Sequence, residues 1–131
     1  MATRPEADDF ARRVPKAEIH LHLEGSVDLD TLQAMKRGRG EPPSAAERAR
    51  LGALYRHCDF PGFLRNFRDL CAEIKTAQDF ALITEALSRR LERDAVRYAE
   101  VFCSPSIFAG RGLSAGEIMQ AVSEAARRRE A

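Results

Sequence analysis

No apolar run in this chain of 131 residues approaches the roughly 18 residues that a membrane span requires. The opening stretch MATRPEADDFARR is too charged for a signal peptide. The expectation is a cytoplasmic protein with no membrane partner. Cysteine is sparse: Cys58, Cys71 and Cys103 are odd in number, widely separated and free of any CxxC. That pattern argues against a disulfide framework or a structural zinc knuckle and predicts reduced, partly buried thiols. Basic excess is missing too, with a formal net charge of +1, so no phosphate-backbone partner is indicated. Arg89-Arg90 and Arg127-Arg128-Arg129 have no interleaved aromatics and read as solvated helix faces rather than a nucleic-acid site. No internal repeat or linker divides the chain.

Histidine is scarce as well, and its placement is informative. Of His20, His22 and His57, two stand two residues apart in the run Pro15-Lys16-Ala17-Glu18-Ile19-His20-Leu21-His22-Leu23-Glu24-Gly25-Ser26. Period-two alternation makes this a strand, with Ile19, Leu21 and Leu23 on one face and Glu18, His20, His22 and Glu24 on the other. Two imidazoles projecting together are half of a chelating site. The plain alternative is a pair of hydrogen-bonded strand histidines, since HxH occurs by chance. A whole face of His and Glu opposite an apolar face is hard to explain by packing, because buried charge is costly unless paired or bound to metal. Gly25 ends the run, so this face lies near the strand's C-terminal end, where parallel α/β folds bind ligands. His57, beside Cys58 and Asp59, reads as an ordinary surface residue.

The rest of the chain alternates helical signals with one further strand. Asp28 to Lys36 has Leu29, Leu32 and Met35 at helical spacing, with Asp28 or Ser26 as cap and Gly38 and Gly40 as stops. Ser44-Ala45-Ala46-Glu47 fits a capping box that opens a short helix reaching about Tyr55. From Pro61, Phe63, Leu64, Phe67, Leu70, Cys71 and Ile74 form one apolar stripe. Thr76-Ala77-Gln78-Asp79 starts another helix, with Phe80, Ile83, Leu87 and Leu91 on its core side. Arg97 to Cys103 reads as the second strand, broken by Ser104-Pro105, and Ser114-Ala115-Gly116-Glu117 is a second capping box before a final helix. The division predicted is a single incomplete domain over 1–131, with residues 1–14 as an N-terminal helix or arm.

Three blocks carry a family resemblance. PKAEIHLHLEGS closely resembles the first-strand signature of the adenosine deaminase family of metal-dependent amidohydrolases; DFPGFLRNF at Asp59 to Phe67 and RYAEVFCSP at Arg97 to Pro105 resemble its next two landmarks, in order and at similar spacing. The HxE and PCxxC signature of the other zinc deaminase class is absent. The resemblance implies an α/β fold, the N-terminal part, about the first third, of a (β/α)₈ TIM-type barrel, with two strands and a helical insertion between them that helps to roof the pocket. A complete barrel needs about 250 residues.

By the same resemblance, His20 and His22 match the two histidines that bind the catalytic metal, usually Zn²⁺, one per active site. The remaining ligands and the catalytic acid come from later strands, so no catalytic residue is expected in this chain. His22, Glu24, Phe60, Phe63, Leu64, Phe67 and Ser104 match substrate-binding positions, although the phenylalanine spacing equally suits plain helix core. Glu24 stands where adenosine-specific members generally have Asp at the substrate's sugar, and Phe102 where vertebrate-type members commonly have Arg. Adenine and aminofutalosine deaminases resemble this HLEGS version at least as well. The implied activity is hydrolytic deamination of adenosine, adenine or a related 6-aminopurine. Its partners are a purine, water and the remainder of the barrel if supplied as a separate segment. The competing expectation is a catalytically inactive truncated fragment acting as an interaction module.

Overall fold

Side chains that cap helices set most of the element boundaries. In the computed structural model, which describes residues 4–57 and 59–130, the order is α1 (Arg4–Arg13), β1 (Lys16–His22), a 3₁₀ turn (Glu24–Ser26), α2 (Leu29–Gly38), α3 (Ala45–Ala53), α4 (Phe60–Glu73), α5 (Ala77–Arg93), β2 (Val96–Phe102), a second 3₁₀ turn (Pro105–Phe108) and α6 (Ala115–Glu130). Asp28 caps α2 by accepting from Thr31 N at 2.8 Å, and Asp59 caps α4 by accepting from Gly62 N at 2.6 Å. A Cβ on Gly62 would sit 2.6 Å from Asp59 Oδ1, so a larger residue there would push the capping carboxylate aside. Thr76 and Asp79 form a reciprocal capping box on α5, and Ser114 and Glu117 do the same for α6.

One expected box is only half made. Ser44 Oγ accepts from Glu47 N, but the Glu47 carboxylate turns to Lys36 Nζ at 2.9 Å. Lys36 is buried and also reaches Glu73 at 3.2 Å, while Arg50 joins Glu73 at 2.5 Å. A buried ammonium draws carboxylates from two other helices more strongly than a neutral N–H draws one of them. This knot fastens α2, α3 and α4 together.

The helices close a core of their own. Leu32 and Met35 of α2, Leu51 of α3, Leu70 and Cys71 of α4 with Ile74 just beyond it, Phe80, Ile83 and Leu87 of α5 and Ile118 of α6 form one buried cluster with Leu23, Val27 and Phe108. Phe80 and Phe108 meet edge to face, 5.0 Å between centroids. Cys71 is buried, and Cys103 partly so, both as free thiols, as expected; Cys58 lies outside the described residues.

β1 and β2 pair in parallel, joined by the long crossover through α2 to α5 that parallel pairing demands. Among the described residues the sheet has these two strands only. Lys16, the first residue of β1, sends its Nζ back to the carbonyl oxygens of Ala11 at 2.7 Å and Val14 at 2.9 Å. It thereby caps the C-terminal end of α1. Among the described residues, no helix is long and apolar enough to cross a membrane.

Candidate metal centre

The alternation along β1 is interrupted where the histidines lie. The pairing steps from Glu18↔Ala99 to Leu21↔Val101, so β1 spends one more residue than β2 over that span. His20 absorbs the excess with a φ of 61°, the left-handed conformation that costs a β-carbon residue about 1 kcal/mol or more. Ile19, expected with Leu21 and Leu23 on the apolar face, is 69% exposed. His20 and His22 nonetheless come together, their ring centroids 5.2 Å apart and their planes at 73°. Phe102, at the end of β2, packs on both, 4.7 Å from His20 and 6.0 Å from His22.

These two rings suit a shared cation. Imidazoles bound to one tetrahedral ion through nitrogens at ~2.0–2.1 Å place their centroids roughly 5 Å apart. Among the described residues, no group of three or more His, Cys, Asp or Glu could hold a metal. Two imidazoles alone would fill at most two positions of a four-coordinate sphere. His57 is not near it: its ring stands against Phe63, 5.3 Å away.

Both histidines line a cleft of about 830 Å³ whose walls also include Leu21, Tyr55, Phe63, Leu64, Phe67 and Arg90. This lies within the ~300–1,000 Å³ range of small-molecule sites. Phe60, Phe63 and Phe67 are stacked along α4, each centroid 6.1 Å from the next. Phe67 serves both readings of its spacing, since it packs on the core cluster and also forms cleft wall. Phe60, 68% exposed, stands outside the lining.

The sequence pattern groups Arg90 with Arg89 as a solvated charge. Its guanidinium instead donates to Asp28 Oδ2 at 2.9 Å and to the Ser26 carbonyl, fixing the turn after β1. The signal was present, because Arg90 lies three residues after Leu87 and seven after Ile83, on the core stripe of α5. Burial would raise the Asp28 carboxyl, but hydrogen bonds from Thr31 and the charge of Arg90 outweigh it and hold it below the ordinary carboxylate value. Tyr55 donates its hydroxyl to Val27 O at 3.1 Å.

Glu24 and Ser104 do not line the cleft; they bond each other behind it. The strand ends at His22 and Leu23 takes helical angles, φ −57° and ψ −47°, which turns Glu24 out of the histidine face and into the protein. Its carboxylate is 0% exposed. Oε1 accepts from Ser104 N at 2.7 Å and lies 3.5 Å from Cys103 Sγ, while Oε2 is buried without a partner. Burial first, and the Glu24 charge second, push the thiols of Cys71 up to about 11 and Cys103 up to about 12. Both therefore stay protonated at neutral pH.

Comparison with known proteins adds relatives to this geometry. A family profile described as "Adenosine deaminase" matches residues 15–131. The chain is 31% identical over 112 residues to an adenine deaminase of Streptomyces coelicolor, covering 86% of this chain and 33% of that protein. It is 27% identical over 129 residues to an aminodeoxyfutalosine deaminase of Streptomyces avermitilis, covering 98% and 36%. Among solved structures it is similar to an amidohydrolase from Burkhoderia ambifaria with bound Zn, at 26% identity and a TM-score of 0.76, covering 98% of this chain and 35% of that one. The chain thus spans about a third of the length of the proteins it matches.

Proposed function

The chain belongs to the adenosine deaminase family and has the fold of the N-terminal portion of its amidohydrolase barrel, and from that premise we propose that it supplies the first two metal ligands and one wall of the purine pocket of a zinc-dependent aminohydrolase. The observation that carries this reading is the pairing of the His20 and His22 rings on the wall of an apolar cleft. The reaction is hydrolytic loss of the exocyclic amine of a 6-aminopurine, adenine being the leading candidate because it is the substrate named for the relative above. Zn²⁺ bound at such a site supplies hydroxide near neutral pH by lowering the pKa of water to about 7.

The residues of this chain hold and orient. His20 and His22 hold the cation, and Phe102 covers one side of both rings, so that water and substrate approach from the other. Phe63, Leu64 and Phe67 present apolar surface on which a flat purine can stack. His22 lies where cation and purine meet. The remaining ligands, an acid to protonate the ring nitrogen and the groups that orient water come from outside this chain.

The test is ammonia release from adenine, adenosine and aminodeoxyfutalosine by the protein completed with the barrel strands that its relatives carry. We expect release from at least one, abolished by His20→Ala or His22→Ala. No release from any of the three, in a folded zinc-loaded protein, sinks the reading and favours the interaction-module alternative.

A further inference from the structure

The buried carboxylate of Glu24 calls for an explanation that a substrate contact does not give. A fully buried carboxyl group with one oxygen unpartnered is costly, and persists where its remaining bonds fix something. What those bonds fix is the junction of the ends of the two strands. Leu23 N donates to Phe102 O at 2.8 Å, and one residue later Glu24 Oε1 takes Ser104 N and faces the Cys103 thiol. The charge of Glu24 is also felt by Cys71 of α4, the helix that carries the phenylalanine ladder. Arg111, from the loop after the second 3₁₀ turn, donates to Cys71 O at 3.1 Å and closes the same corner.

We infer that Glu24 is a positioning residue: its carboxylate bolts the C-terminal end of β1 to residues 103–104, and so holds the Phe102 ring against the imidazoles of His20 and His22. The chain of contact is short. Phe102 directly precedes the bonded pair 103–104, and its ring lies within 4.7 Å and 6.0 Å of the two histidine rings. Releasing 103–104 frees the backbone that aims Phe102, and with it the packing that limits the rotamers of both imidazoles. The catalytic meaning of this role rests on the proposed metal function, whereas the positioning itself does not.

The geometry separates the variants. Glu24→Gln keeps an oxygen at the place of Oε1 and can still accept from Ser104 N. Glu24→Asp is one methylene shorter and cannot reach it from the same backbone. The experiment is NMR of the imidazole Cε1–H resonances of the 131-residue chain without metal or substrate, followed by Zn²⁺ titration. We expect Glu24→Asp to move the His20 and His22 resonances in the same sense as Phe102→Leu, to leave His57 in place, and to weaken zinc binding by roughly tenfold. Glu24→Gln should restore both readouts. Unmoved His20 and His22 resonances with unchanged zinc affinity in Glu24→Asp overturn the inference, as does equal disturbance by Glu24→Gln. Because purine is absent from every arm, failure of the deaminase reading in the ammonia assay leaves this outcome unaffected.

Discussion

The helical layer and the two-stranded sheet differ sharply in burial. Leu32, Met35, Phe80 and Ile83 are at most 1% exposed, whereas on the sheet Ile19 is 69%, Tyr98 58% and Phe102 45% exposed. The helices interlock through apolar side chains and through the Lys36 knot. The sheet is joined by one ladder and touches the helical core through Leu21, with Leu23 and Cys103 just past the strand ends. Stability therefore resides in the helices, and the groups with chemistry to offer stand on the sheet. The same strand that carries the imidazoles also carries the strained φ of His20, which fits the tendency of backbone strain to gather at functional sites.

That contrast can be broken from the helical side first. Phe80→Ala removes a fully buried ring that contacts Phe108 and should cost about 3–5 kcal/mol in urea unfolding. A loss below about 1 kcal/mol would show that the helical core is not the stabilising layer. Next in size is Lys36→Ala, which leaves the Glu47 and Glu73 carboxylates without their shared ammonium; we expect a loss of roughly 1.5–3 kcal/mol.

The same knot predicts a pH dependence. Burial would raise the Glu73 carboxyl, but hydrogen bonds from Arg50 and Lys36, with their charges, hold it below its ordinary 4.5. A lowered folded value gives stability that is present above 4.5 and is lost as pH falls through the folded value. Acid unfolding should therefore steepen below about pH 4.5, and Glu73→Gln should flatten that limb. Lys36, raised above 10.5 mainly by its bond to Glu47, works in the opposite direction: its contribution is complete below 10.5 and is lost only as pH rises through the higher folded value.

The sheet side sharpens the contrast with smaller effects. His20→Gly relieves the left-handed backbone and should stabilise the chain by up to about 1 kcal/mol while weakening zinc binding in the same sample. A variant that lost both would show that the bulge is not strained. Ile19→Ala should change stability by no more than about 0.5 kcal/mol, the range of ordinary surface substitutions, as read by thermal unfolding.

Much of this was legible in the sequence wherever one short-range rule governs. Asp28, Thr76, Asp79, Ser114 and Glu117 announce helix starts because a cap is satisfied within three or four residues. β2 falls within one residue of its expected span, Val96–Phe102 against Arg97–Cys103. His20 and His22 were legible as a pair because i and i+2 share a strand face. What escaped depends on partners far along the chain. Glu47 leaves its capping box for Lys36, eleven residues upstream, and Arg90 finds Asp28 sixty-two residues away. The bulge at His20 and the turn at Leu23 escaped because alternation carries no mark of where a strand inserts a residue or stops. The turn at Leu23 accompanies the burial of Glu24, so the histidine pair was readable from alternation and the burial of its acidic neighbour was not.

The ammonium of Lys16 has a consequence for how the chain opens. It is at once the first link of β1 and the cation that terminates α1. Opening the end of the helix takes away the ammonium's carbonyl acceptors, and fraying of the strand's first residue loosens its hold on the helix. The N-terminal arm and the start of the sheet are thus coupled through a single side chain.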